Sequence, residues 1–172
     1  MEFLICDKNK MELGGIPDNV AIDFDIGDTN DVEITCERGF LDFGMYLICP
    51  GTEYGALIEE LDSWTSDSKE TWMGNSFRRF LKEIVIEPPA GEDYRVVSGD
   101  AHDIMRELLK DSYDQFFTIP ESPSGITMEN YKFDRYTDAL TGFGKMLEKE
   151  NARINIEIKQ GGPNEPFFVV LS

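Results

Sequence analysis

The sequence predicts an α+β fold. An antiparallel, β-rich part covers residues 1–93, and an α+β part with two main helices covers 94–172, with 152–172 as a segment that returns to the first sheet. Three observations lead there. Apolar residues alternate with polar ones through the first half, as in VAIDFDI and VEITCE, the period of a half-buried strand. Apolar spacing of three and four residues begins only near Phe77. Between the two patterns stands EPPAG, which no helix or central strand can cross.

In Val20–Ile26 the residues Val20, Ile22, Phe24 and Ile26 share one face, and Asp23 and Asp25 the other. GDTND follows as a turn, then VEITCE with Val32, Ile34 and Cys36 apolar. This is a hairpin with one wet face and one dry face. MYLIC and YGALIEEL flank PGTE as a second hairpin, and SWT and KETWM flank SDS as a third. NSFRRFLKEI then places Phe77, Phe80, Leu81 and Ile84 on one helical stripe, with Gly74 and Asn75 as turn and cap.

Pro88 and Pro89 lack backbone donors, Glu87 before them is pushed out of the helical region, and Gly91 can turn the chain. YRVV reads as a strand. Ser98 is expected to cap a helix reaching about Lys110, with Asp100 in its first turn. Ala101, Ile104, Met105, Leu108 and Leu109 form that helix's apolar face. After PESPSG comes a strand near Met128–Phe133. A helix capped by Thr137 then buries Leu140, Phe143, Met146 and Leu147. RINIEI and FFVVL are the closing strands, so the second half runs β-α-β-α-β-β. An uncovered apolar strand invites pairing with other chains, so FFVVLS is either central in a sheet or continues into further native sequence beyond residue 172, the second being the preferred expectation.

Acidic residues number 34 against 16 basic ones, a net charge of -18. Such a surface repels nucleic acid and anionic membrane, because binding to either rests on basic residues. Neither sequence-specific nucleic-acid binding nor membrane association is expected. Cys6, Cys36 and Cys49 form no CxxC and lie among apolar residues, which predicts buried free thiols.

Residues with catalytic potential are few. His102 is the lone histidine and falls off the apolar stripe, which predicts an exposed helix position. The chain has no HExxH, GxSxG, P-loop or GxGxxG. Glycoside hydrolysis needs two carboxylates facing across a cleft. The pairs Asp23/Asp25 and Glu33/Glu37 lie on a wet hairpin face, and Glu59/Glu60 are neighbours on a strand. Asp25, Asp28, Asn30 and Asp31 lack the order of a calcium loop and read as a turn. Trp64 and Trp72 flank the third hairpin and read as core. No catalytic residue, metal or cofactor is expected.

The stretch TWMGNSFRRFLKEIVIEPPAGEDYRVVSGDAHDIMRELL resembles a segment of the siphophage and prophage tail-hub structural proteins, in their N-terminal part. The residues that carry the resemblance are Trp72, Gly74, Arg79, Leu81, Pro88, Pro89, Gly91, Tyr94, Val97, Ser98, Gly99 and Ala101. Gly144, Met146, Leu147, Ala152 and Arg153 extend it downstream. The resemblance implies a barrel-like first part and a structural role at a tail tip. It also implies self-assembly into a closed ring, docking to other tail proteins, and a passage from the bacterial cytoplasm to the virion tail. The alternatives are a carboxylate-based cell-wall hydrolase subunit using Glu59 or Glu60, and an acidic cytosolic binding module.

Overall fold

The computed structural model describes residues 2–64, 68–110, 116–162 and 164–172. It is α+β and divides into two compact units. One takes the chain through Arg79 together with Glu157–Phe168; the other takes Phe80–Ile156 and Val169–Ser172. The division falls inside the first helix, upstream of the 93/94 boundary expected from the sequence.

The first unit is built on seven strands: β1 (Leu4–Cys6), β2 (Glu12–Gly15), β3 (Ala21–Phe24), β4 (Asp31–Glu37), β5 (Tyr46–Ile48), β6 (Gly55–Trp64) and β7 (Lys69–Ser76). They form one antiparallel sheet in the order β2-β1-β5-β6-β7-β4-β3. Among the described residues of 152–172 none forms a strand of this sheet, although Glu157–Phe168 belong to the first unit and Ile158 exchanges backbone bonds with Gly51 and Thr52. Four strands separate β1 from β3, so a flat sheet would hold them roughly 24 Å apart. Yet Phe3, beside β1, stacks on Phe24 of β3 with ring centroids 5.9 Å apart, and Phe24 meets Tyr54 edge-on at 5.5 Å. The sheet is therefore curled into a half-barrel with open edges at β2 and β3. Ile5, Val32, Ile34, Leu47, Ile58 and Trp72 fill the concave side.

All three predicted hairpins form. Ile22 pairs with Ile34, Leu47 with Ala56, and Leu61 with Trp72. The SDS turn lies largely outside the described residues. Trp64 departs from the expectation. The register sets it opposite Glu70, and 66% of its surface is exposed, while Trp72 is buried. The ladder sets Trp64 on the Trp72 face but near the end of β6, where the strand is exposed, so the two tryptophans do not form a buried pair.

Helix α1 (Phe77–Glu83) follows β7 without a loop. Asn75 belongs to the strand and donates from Nδ2 to Glu59, so it is not the cap. Phe77, Phe80, Leu81 and Ile84 are buried as the stripe requires.

The second unit carries β8 (Val85–Ile86), β9 (Val96–Asp100), α2 (Ala101–Leu109), β10 (Phe117–Thr118), β11 (Thr127–Lys132), β12 (Thr137–Asp138) and α3 (Ala139–Glu148). β13 (Ile156–Lys159) and β14 (Phe168–Leu171) close the chain. Both predicted caps move. β9 runs through Ser98, whose Oγ accepts from the Asn130 N–H at 2.8 Å. Asp100 caps α2, accepting from the His102 N–H at 2.9 Å, and Asp138 caps α3, accepting from the Thr141 N–H at 2.8 Å. Pairing with β11 carries β9 on to Asp100, and pairing with β8 carries β12 on to Asp138, so in each case the cap is the last strand residue before the helix.

The closing strand is not bare. Val169 and Val170 pair with Phe117 and Thr118, and on the other side Asn155 and Ser172 exchange backbone bonds of 2.7 and 3.0 Å. Val169 and Leu171 are fully buried. β14 is thus central in its small sheet, the less favoured of the two readings, and its neighbour β10 is only two residues long, too short to show a period.

Candidate functional site

The motif residues hold two separate places in the fold. In the first unit, Trp72 and Gly74 face the concave side on β7. The Trp72 indole donates to Glu70 Oε2 at 3.3 Å and takes the edge of Phe43 at 5.1 Å. A Cβ on Gly74 would come within 2.4 Å of the Leu57 carbonyl oxygen, so only glycine lets β6 and β7 close there. Arg79 donates from Nη1 to the Thr29 carbonyl at 3.0 Å, tying α1 to the β3–β4 turn.

In the second unit, Leu81 is fully buried while Pro88, Pro89, Gly91 and Tyr94 surround an exposed joint. Glu92 N–H donates to the Pro89 carbonyl at 3.0 Å, and Gly91 supplies the positive φ of 87° that the turn requires. Tyr94 lies under the Lys132 ammonium, 3.3 Å from the ring centroid. Ser98 and Gly99 belong to β9, Gly99 at φ 133° opposite Met128.

A shallow groove of about 480 Å³ opens at this joint, lined by Glu87, Pro88, Glu92, Asp93, Arg135 and Tyr136 among others. A second hollow of about 310 Å³ lies in the first unit, where Lys10 sits 5.9 Å from the Phe167 ring centroid and burial lowers the lysine's pKa.

Several structural residues were not foreseen. Asn30 is fully buried at φ 59°; its Oδ1 accepts from Gly27 N–H at 3.0 Å and its Nδ2 donates to Asp28 C=O at 3.2 Å. Thr29 donates to Asp25 at 3.0 Å, so the acidic stretch is used as a turn. Glu70 is buried and also accepts from Gly39 N–H at 3.2 Å. Their signal in the sequence was weak: an Asn in a turn, and a Glu at an inward position of an alternating strand.

His102 contradicts its expected exposure. It is buried, with Nδ1 2.8 Å from the Ser122 carbonyl. The cause is the 119–126 loop, which folds over the start of α2. Asp100 accepts from Ser124 N–H (3.0 Å), Ser124 Oγ (2.9 Å) and Gly125 N–H (3.2 Å), and Arg106 donates to Pro120 C=O at 2.6 Å. Burial pushes the Asp100 carboxyl up, but these donors and His102 N–H pull it further down, to below the usual carboxylate range. Its stabilising contribution is therefore present above the unfolded value, ~3.9, and is lost as pH falls through the lower folded value. We expect Asp100→Ala to cost at least ~1–2 kcal/mol at pH 7, more than Ser98→Ala, which removes one exposed bond. Urea melts should show the Asp100→Ala deficit shrinking as the pH is taken down through the lowered folded value, relative to pH 7. An equal deficit at both pH values would contradict the assignment.

The carboxylates considered for chemistry do not converge. Asp23 lies directly opposite Glu33, Glu33 opposite Met73, and Met73 opposite Glu60, so three exposed acids share one row across the sheet. Glu59 accepts from Asn75, and Glu37 from Asn19 Nδ2 at 3.3 Å. Among the described residues no group of three or more His, Cys, Asp or Glu gathers as a metal site, and no helix is long and apolar enough to cross a membrane.

All three cysteines are buried and free. Burial is the main cause that pushes the Cys6 thiol up to about 12 and Cys36 up to about 11. Thiolate, the reactive form, is scarce at such values. Labelling with a thiol-disulfide reagent at pH 8 should be slow on the native protein and rapid in guanidinium. Fast stoichiometric labelling of the native state would overturn the burial.

No protein-family model matches the chain, and no curated protein matches it in sequence. Among solved structures, the fold is similar to that of the tail protein from Neisseria meningitidis MC58, with a TM-score of 0.55 at 12% identity. The match covers 99% of this chain and 50% of that one, so the chain spans half the length of the tail protein it resembles.

Proposed function

We propose that the chain is a structural component of a phage or prophage tail tip, of the hub or baseplate type, that works by self-assembly and by docking to other tail proteins. The observation that carries this reading is the likeness of nearly the whole chain to half of a tail protein. The curled, open-edged sheet supports it. A half-barrel with free edges at β2 and β3 suits a subunit whose curvature is completed by neighbours. The row of Asp23, Glu33 and Glu60 also supports it, since an acidic wall would not hold passing DNA. On this reading the protein collects in the bacterial cytoplasm during assembly and ends in the virion tail. Light scattering on the full natural protein, alone and with the product of the adjacent tail gene, tests the assembly. A closed oligomer of defined mass is expected. A monomer persisting well above micromolar concentration beside that neighbour would contradict it.

A further inference from the structure

We propose that the joint groove of the second unit is a docking surface for a basic, extended segment of another protein. The reasoning starts from exposure. Val85 (48%), Tyr94 (40%), Val96 (53%) and Tyr136 (58%) are large apolar or aromatic side chains left in solvent. They belong to one neighbourhood. Tyr136 lines the groove with residues 87–93, Val85 pairs with Asp138 two residues on, and Lys132 joins Val96 by strand register to Tyr94 by ring contact. Single exposed hydrophobics are ordinary, but four on the segments 85–96 and 132–138, beside a groove lined by charge, have the make-up of an interface. Tyrosine with arginine is the composition of interface centres.

The charges select the partner. Of the four charged residues lining the groove, Glu87, Glu92 and Asp93 are carboxylates, and the fourth, Arg135, is drawn onto the Tyr136 ring at 5.3 Å. Tyr94 likewise holds Lys132. Both tyrosines thus already bind cations through their rings, the chemistry by which they would take a lysine or arginine from outside. A second copy would have to bring a basic segment to this acidic lining, and only 16 of the 172 residues are Lys or Arg against 34 Asp or Glu. The groove is shallow and loop-built, which suits an extended segment with apolar and cationic side chains.

The proposal takes from the preceding reading only that the chain docks to other proteins. Its test is an NMR titration of the labelled protein at 0.15 M salt with a ten-residue peptide alternating lysine and leucine, and with its glutamate-for-lysine counterpart. The lysine peptide should shift resonances confined to residues 85–96 and 132–136; the glutamate peptide should not. Tyr136→Asn keeps a residue that tolerates the φ of 53°. Combined with Tyr94→Ala it should weaken the lysine peptide at least tenfold without changing the native spectrum elsewhere. Shifts spread over acidic residues of both units, undiminished affinity in the double variant, or the same resonances moving with protein concentration alone would each overturn the proposal. None of these results bears on ring assembly, which light scattering reads separately.

Discussion

Replacing Gly74 by alanine is expected to destabilise the first unit by about 3 kcal/mol, at the upper end of overpacking costs. The added methyl would stand 2.4 Å from the Leu57 carbonyl oxygen and 3.0 Å from Val32 Cγ1. The oxygen belongs to the backbone of the neighbouring central strand, in a ladder that fixes Leu57 opposite Asn75, so it cannot swing aside as a side chain would. Relief requires β6 and β7 to part at the bulge between Ile58 and Glu60, which loosens the cluster around Ile58 and Trp72. Gly144→Ala is the matched control. Its Cβ would meet nothing within 4 Å, and it lies inside α3, where alanine is favoured by up to ~1 kcal/mol. Denaturant melts should therefore show opposite signs for the two variants. A Gly74→Ala loss below ~0.5 kcal/mol would contradict the close approach, being the size of an ordinary surface change.

The second large effect is expected at Leu81. This side chain is fully buried on α1, in the stripe it shares with Phe77, Phe80 and Ile84. Leu81→Ala should cost ~2–5 kcal/mol, the sum of lost apolar transfer and the cavity left behind. Leu81→Met, which conserves volume, should cost less than ~1.5 kcal/mol. The pair separates packing from helix propensity, because alanine is the better helix former. A loss below about 1 kcal/mol for Leu81→Ala would show that the site collapses without a cavity or is not core.

Where the sequence spoke with a period, the fold was legible. β4 alternates Val32, Ile34, Cys36 against Asp31, Glu33, Glu37, and the structure buries the first set. The α1 stripe follows from apolar spacing in the same way, and so do most of the two later helices' buried faces, with Leu108 and Leu140 only half-buried. The misses share one physical cause: decisions made by long-range contact. Ser98 and Thr137 look like caps locally, but pairing with β11 and β8 extends the strands to Asp100 and Asp138, and the helices start only after those residues. His102 looks exposed on its own helix and is covered by a loop some twenty residues later in the chain. Trp64 keeps the face of Trp72 but falls at the exposed end of β6, and alternation alone does not show where cover ends. The turn at the joint was readable from Pro88, Pro89 and Gly91. Its groove was not, because Arg135 and Tyr136 arrive from a distant segment.

The central claim is that this protein is built into a tail tip. Immunogold electron microscopy tests it most directly, using antibodies raised against this chain on purified particles from the native host. The account predicts gold confined to the distal end of the tail, absent from particles of a deletion strain complemented with an empty vector. Label on heads or along the whole tail, or a complete tail assembled without the protein, would contradict it.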